Sequence, residues 1–183
     1  MPSTRSDEAK RTSPLALWRY AHDYLRAAQS LCRQHQVASS ESQAPYHIAT
    51  EGLQFTVKAY LRAKGATMDE LNGEIGHSLA RALARGEANG LPEVPSHWRP
   101  AIAELAACCH DDGFVYLGAR ESSMVDIGSV VDAGVWMLDR IAPEVAEHYV
   151  AHLATDASPS AEEFVRRLRA DLSATSSVVE TGN

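Results

Sequence analysis

Residues 45–65 read PYHIATEGLQFTVKAYLRAKG, and this stretch decides the fold. Pro45 and Gly65 predict where a helix begins and ends, because proline suits a first helical turn and glycine a helix C-terminus. At about 100° per residue, its longer polar side chains fall on one narrow strip. The strip consists of Glu51, Gln54, Lys58 and Arg62. Most of the remaining surface is apolar, which predicts a helix in the middle of a bundle.

A first helix is predicted before this central one. It begins at Ser13-Pro14, where serine can cap and proline can open the first turn, and it ends near His35. The side chains that recur at helical spacing are Leu17, Tyr20, Tyr24, Ala28 and Leu31. This pattern predicts an amphipathic outer helix with these residues on its apolar face.

Two further helices are predicted after the central one. The third begins at His77 and Ser78, after a glycine-containing loop, and frays through residues 85–90. The fourth begins near Ser96 and ends at residues 111–113. The segment that follows, residues 114–124, has a strand-like composition but no strand partner in the sequence.

The last two helices complete the predicted bundle. A fifth begins near Asp126, and Pro143 either kinks it or opens a short successor that reaches Leu153. A capping-box pattern at residues 160–163 predicts a final helix over about 160–172. The sequence therefore predicts an all-α, up-and-down bundle of about five to six helices.

The chain divides into three predicted regions. Residues 1–12 are polar and without periodicity, which predicts a disordered arm, and residues 13–153 form the bundle. Residues 154–183 hold the final helix and a flexible Ser/Thr-rich tail.

Charge and cysteine content restrict the class of protein. A net charge of -7 argues against nucleic-acid binding by bulk electrostatics, so any phosphate site must be local. Three cysteines give no disulfide framework, and no segment has the apolar length of a membrane span or of a secretion signal. We expect a cytoplasmic protein with free thiols and no membrane association.

The order of three stretches resembles the HEPN (higher eukaryotes and prokaryotes nucleotide-binding) domain family. The stretches are AHDYLRAAQSL, APYHIATEGLQFTVKAYLRAKG and GHSLARAL, and the resemblance covers roughly residues 14–150. Its most specific part is the central helix, where Glu51 and Lys58 precede a leucine and a terminal glycine, and a Gly-His pair follows. The resemblance implies a helical bundle that forms a homodimer.

Many members of the HEPN family are ribonucleases whose site is an arginine followed, after four to six residues, by a histidine. At the matching place this chain reads RESSMVD, from Arg120 to Asp126, so an aspartate stands where the histidine is expected. An ordinary aspartate is a poor general acid at neutral pH. The family's non-catalytic role, as a binding partner beside a small nucleotidyltransferase, is therefore the preferred interpretation.

Five residues are candidates for ligand binding, with no catalytic step assigned to any of them. They are Lys58, Arg62, His77, Tyr116 and Arg120. On one interpretation these groups line a cleft or a dimer seam and hold a phosphate, with Arg120 in bidentate contact. On the other, the polar strip is a solvated face and His77 caps a helix or bonds to a neighbouring helix.

Metal and cofactor chemistry is not predicted. Glu144, His148 and His152 share one helical face, but no second ligand set accompanies them. A diiron bundle requires two Glu-x-x-His motifs on helices, and the single instance here ends at His77 in a loop.

The sequence therefore predicts a non-catalytic, HEPN-like binding or regulatory protein. Its expected ligand is the phosphate of a nucleotide or of RNA, and the resemblance implies a nucleotidyltransferase or a component of a toxin–antitoxin-type system as its partner. The first alternative is a divergent, metal-independent ribonuclease that uses Arg120. The second is a helical interaction scaffold.

Overall fold

The computed structural model describes residues 12–35, 43–110, 113–114 and 126–153, together with residues 166, 167 and 170. Within these ranges it confirms the all-α bundle. The helices are α1 (Pro14–His35), α2 (Ala44–Ala63), α3 (Met68–Glu70), α4 (Leu79–Ala88), α5 (Arg99–Cys108) and α6 (Ile127–Leu153). The predicted N-terminal arm, except for Thr12, and almost all of the C-terminal segment lie outside the described residues.

Three long helices, α1, α2 and α6, form the core of the bundle. The indole N–H of Trp18 donates to the carbonyl of Leu138 at 3.1 Å, and Leu25 packs against Gly134, so α1 runs antiparallel to α6. Leu53 also approaches Gly134, and Lys64 lies 3.7 Å from a carboxylate oxygen of Glu144. Helix α2 therefore runs parallel to α6.

Leu25 of α1 is wedged between two glycines of the neighbouring helices. A Cβ atom at position 134 would lie 2.6 Å from Cδ2 of Leu25, and one at position 52 would lie 2.8 Å from its Cγ. Both distances are shorter than carbon atoms tolerate, so the three backbones approach closely only because these positions lack a side chain.

The segment between α2 and α4 is more ordered than the predicted loop. Thr67 and Glu70 form a capping box that opens the single turn α3, and a π-helical turn (Leu71–Ile75) follows it directly. Gly76 then takes a φ of 55°, a left-handed value that favours glycine. The loop prediction was wrong because the capping pattern of Thr67 and Glu70 was not recognised in the sequence.

The later elements differ from the predictions at their ends. Helix α5 begins at Arg99 because residues 96–98 form a turn first, and it ends at Cys108. The chain continues into β1 (Cys109–His110), which pairs antiparallel with β2 (Gly113–Phe114) in a two-residue ladder. The remaining residues of the strand-like segment, 115–124, lie outside the described part.

Helix α6 is continuous from Ile127 to Leu153, with Pro143 inside it. The helix does not stop at Pro143, so the predicted alternative of a short successor helix that opens there is wrong.

The predicted apolar face of α1 was wrong at two positions. Leu17 and Ala28 are buried as expected, but Tyr20 and Tyr24 are 42% and 37% exposed. The core face is instead completed by Trp18, Ala21 and Leu25. Tyrosine fits either environment, since its ring is apolar and its hydroxyl is polar, so periodicity alone misassigned it.

Candidate functional site

The polar strip of α2 is largely buried and holds the backbone that follows the π-helical turn. Gln54 and Lys58 are only 2% and 7% exposed. The amide of Gln54 donates to the carbonyl of His77 at 2.6 Å, and the ammonium of Lys58 donates to the carbonyl of Gly76 at 2.7 Å. Burial lowers the pKa of Lys58 below its usual range, and the nearby charge of Glu51 partly offsets this effect.

Arg62 also donates to main-chain carbonyls, one just before α1 and one just after α2. Its Nε donates to the carbonyl of Thr12 at 3.1 Å, and its Nη1 donates to the carbonyl of Ala66. The interpretation of the strip as a solvated face is therefore wrong for Gln54 and Lys58. Helical periodicity shows which residues share a face, but it does not show that residues 65–78 fold back over that face.

His77 contributes its backbone, and its side chain is exposed. The hydroxyl of Ser78 caps α4 by accepting a hydrogen bond from the N–H of Arg81 at 3.3 Å. The predicted capping role belongs to Ser78, because the shorter side chain reaches the third N–H of the helix. Of the five predicted ligand-binding residues, Lys58 and Arg62 lie one turn apart on α2, and His77 contacts that edge through its backbone carbonyl. Tyr116 and Arg120 lie outside the described residues.

Asp126, which the predicted resemblance aligns with the histidine of HEPN ribonucleases, caps α6. One of its carboxylate oxygens accepts from the N–H of Gly128 at 3.1 Å, and the other accepts from the hydroxyl of Ser129 at 2.7 Å. The hydrogen bond from Ser129 makes the largest contribution to lowering the pKa of Asp126 below its usual value. A carboxylate held in this way is ionised at neutral pH and is a weak base.

A cluster of aromatic and cationic side chains lies where the turn before α5 meets α6. The rings of His97 and Trp98 have centroids 4.4 Å apart, and the Trp98 and Trp136 centroids are 6.3 Å apart. The guanidinium of Arg140 lies over the ring of Trp136, 5.3 Å from its centroid. We call these four residues, His97, Trp98, Trp136 and Arg140, the ring cluster.

The polar groups of the ring cluster are not engaged by the residues that the structure describes. His97 and Arg140 are exposed, and both tryptophans are partly exposed. Within the described part of the chain, no hydrogen bond engages the indole N–H groups or the imidazole, and no carboxylate pairs with Arg140. A guanidinium beside the face of an aromatic ring has five N–H donors, which can bind an anion where no protein group engages them.

The ring cluster was missed at the level of sequence because its two halves are separated by almost forty residues. A usable signal was present in residues 97–99, where His, Trp and Arg follow one another before a proline. Arg99 itself does not serve the cluster, since it pairs with Glu93 and donates to the carbonyl of Val94 at 2.7 Å.

An apolar cavity of about 220 Å³ lies beside this segment, between α4 and α5. Leu83, Leu91 and Ile102 contribute to its wall, and the ion pair of Glu93 and Arg99 lies at its rim. Because the two rim charges neutralise each other, the cavity offers a charged ligand less than the ring cluster does.

Across the described ranges, no three His, Cys, Asp or Glu side chains come together in a way that could hold a metal ion. None of the helices in those ranges combines the length and the apolar character that crossing a membrane requires.

Comparisons of the chain with family models, with curated proteins and with solved structures give no match. Function is therefore inferred from the residues of this chain and their contacts.

Replacement of Lys58 by methionine tests whether the strip is structural. Lys58→Met removes the hydrogen bond to Gly76 but keeps an apolar stem of similar length, so we expect the free energy of unfolding to fall by about 1–2 kcal/mol. Lys64→Met, at the exposed lysine that follows the same helix, is the matched control; it removes only the partly exposed ion pair with Glu144 and the contact with the ring of Tyr60, and is expected to cost less than about 0.5 kcal/mol. Urea denaturation followed by circular dichroism measures both values, and equal losses would contradict the structural role.

Proposed function

We propose that the chain is a non-catalytic binding or regulatory protein whose ligand carries a nucleobase and a phosphate, either as a free nucleotide or within single-stranded RNA. The observation that carries this proposal is the ring cluster. Its exposed imidazole and partly exposed indoles offer faces and edges on which a base can stack. Arg140, at one end, supplies the positive charge that a phosphate requires.

The net charge of the chain supports a local site over an extended one. With a charge of -7, the surface as a whole repels polyanions. A ligand bound through one base and one phosphate makes few ionic contacts, so its affinity depends mainly on stacking and on a single cation. A mononucleotide or a short single-stranded segment fits this requirement better than a duplex does.

The lack of catalysis is inferred from how the candidate groups are used. Metal-independent cleavage of RNA requires a base for the 2′-hydroxyl and a free cation near the phosphate. Lys58 and Arg62 are engaged by main-chain carbonyls, and Asp126 is held as a helix cap. These three groups therefore do not provide that pair.

The proposed biological setting follows from the HEPN resemblance. The homodimer, the nucleotidyltransferase-like partner and the toxin–antitoxin-type system are proposals that this resemblance supplies. A helical scaffold remains the alternative if the ring cluster binds no nucleotide.

Tryptophan fluorescence provides a direct test of ligand binding at the ring cluster. Two of the three tryptophans of the chain belong to the cluster, and the third, Trp18, is buried with its N–H bonded to Leu138. We expect AMP to quench the emission of the wild-type chain, and oligoadenylate to do so in proportion to its bound bases. Adenosine and ribose 5-phosphate should each bind more weakly, since each lacks one of the two recognised groups.

Matched variants locate the response. Arg140→Gln is expected to raise the dissociation constant for AMP about 5- to 10-fold, whereas Arg33→Gln, which removes an exposed arginine from α1, should leave it unchanged. In the double variant Trp98→Phe/Trp136→Phe the remaining emission of Trp18 should not respond to AMP. An AMP response that survives in that double variant would contradict the proposed site.

An RNA cleavage assay tests the non-catalytic part of the proposal. Purified chain is incubated with structured and with single-stranded RNA, and Arg120→Ala serves as the comparison. We expect no specific cleavage by either protein. Specific cleavage by the wild-type chain that Arg120→Ala abolishes would establish the divergent ribonuclease instead.

A further inference from the structure

An aromatic patch lies on the surface where α1 packs against α2. Among the described residues, the large apolar side chains that are exposed are Tyr20 and Tyr24, one helical turn apart on α1. Phe55 of α2 lies between them, with ring centroids 5.8 Å from Tyr20 and 5.5 Å from Tyr24. Clusters of tyrosine and phenylalanine on a surface are typical of protein–protein contacts, because such rings bury large areas at little cost in conformational entropy.

Two charged residues accompany the tyrosines at the same spacing. Arg19 and Asp23 each precede a tyrosine by one residue, and both are exposed. The carboxylate of Asp23 is 78% exposed and lies 3.3 Å from the imidazole of His22, while no group in the described part of the chain pairs with Arg19. A cation and an anion therefore lie one turn apart beside two aromatic rings one turn apart.

This pattern is complementary to itself. If two α1 helices pack antiparallel about a two-fold axis beside residues 21 and 22, Tyr20 of each copy lies against Tyr24 of the other. The pair Tyr20 and Tyr24 is centred on residue 22, and the pair Arg19 and Asp23 is centred on residue 21. Because these centres differ by only one residue along the helix, the same axis brings Arg19 of each copy near Asp23 of the other. Apolar contact and charge pairing thus favour the same register.

We propose that the aromatic patch, Tyr20, Tyr24 and Phe55, is the centre of a homodimer interface in which α1 packs antiparallel against α1 of a second copy. A closed two-fold interface requires one surface that is complementary to itself. This surface meets that requirement, because it places aromatic rings against aromatic rings and opposite charges against each other. Helix α1 has 22 residues, about 33 Å, which is long enough to form a continuous helix–helix contact. The proposal rests on the homodimer proposed above, and it does not depend on nucleotide binding, because the patch shares no residue with the ring cluster.

The oligomeric state of the full chain tests this interface. Light scattering after size exclusion, with sedimentation velocity over the micromolar range, should show a concentration-dependent dimer. Tyr20→Ser/Tyr24→Ser should shift the population to monomer, and Asp23→Arg alone should raise the dimer dissociation constant about 10-fold or more, because it sets two arginines against each other.

Charge reversal at both positions distinguishes this register from other dimers. Arg19→Glu/Asp23→Arg restores an opposite pair across the axis, so the dissociation constant should return to within about 3-fold of the wild-type value. Glu147→Arg, an exposed charge reversal on α6, is the matched control and should leave assembly unchanged. Circular dichroism of each variant reports whether the helices are retained.

Three results would overturn the proposal. They are a wild-type chain that stays monomeric over the micromolar range, a dimer that survives Tyr20→Ser/Tyr24→Ser, and a double reversal that is no better than Asp23→Arg alone. The AMP response of the same variants separates the two proposals, because a failed dimer interface leaves nucleotide binding by Trp98 and Trp136 unaffected.

Discussion

The hydrogen bonds that Gln54 and Lys58 donate to the carbonyls of His77 and Gly76 are the interaction that places the segment between α2 and α4 against the central helix. An ammonium group is costly to bury, and the cost is recovered only when the charge is hydrogen-bonded. Once these bonds form, the segment after α2 is fixed against it and α4 begins at a defined point.

Hydrogen bonding to main-chain carbonyls distinguishes the cations that stabilise the fold from a cation that is available to a ligand. Lys58 and Arg62 both donate to main-chain carbonyls, so their positive charge stabilises the fold. Arg140 lies over the ring of Trp136, and no carboxylate in the described part of the chain pairs with its guanidinium. In an acidic chain, a cation beside aromatic rings with no pairing carboxylate among the described residues defines a small, local anion site, which is the kind of site that the charge of -7 permits.

Much of the helical framework was predictable from the sequence, because it depends on local signals. Pro45 and Gly65 bound α2 to within about two residues, and Pro14 and His35 bound α1, since proline and glycine act within a single turn. The burial of Lys58 was not predictable, because it depends on how a segment eighteen residues later folds back. The ring cluster was missed for a similar reason, since only tertiary packing brings Trp98 to Trp136.

The central claim, that the ring cluster binds a base and a phosphate, is tested most directly by the indole N–H resonances of the three tryptophans. In a ¹⁵N–¹H correlation spectrum of the wild-type chain, each indole gives one resonance, and Trp98→Phe and Trp136→Phe assign them. Titration with AMP is expected to shift the resonances of Trp98 and Trp136 while that of Trp18, bonded to Leu138, stays in place. Absence of any shift at Trp98 and Trp136 under saturating AMP would contradict the proposed site.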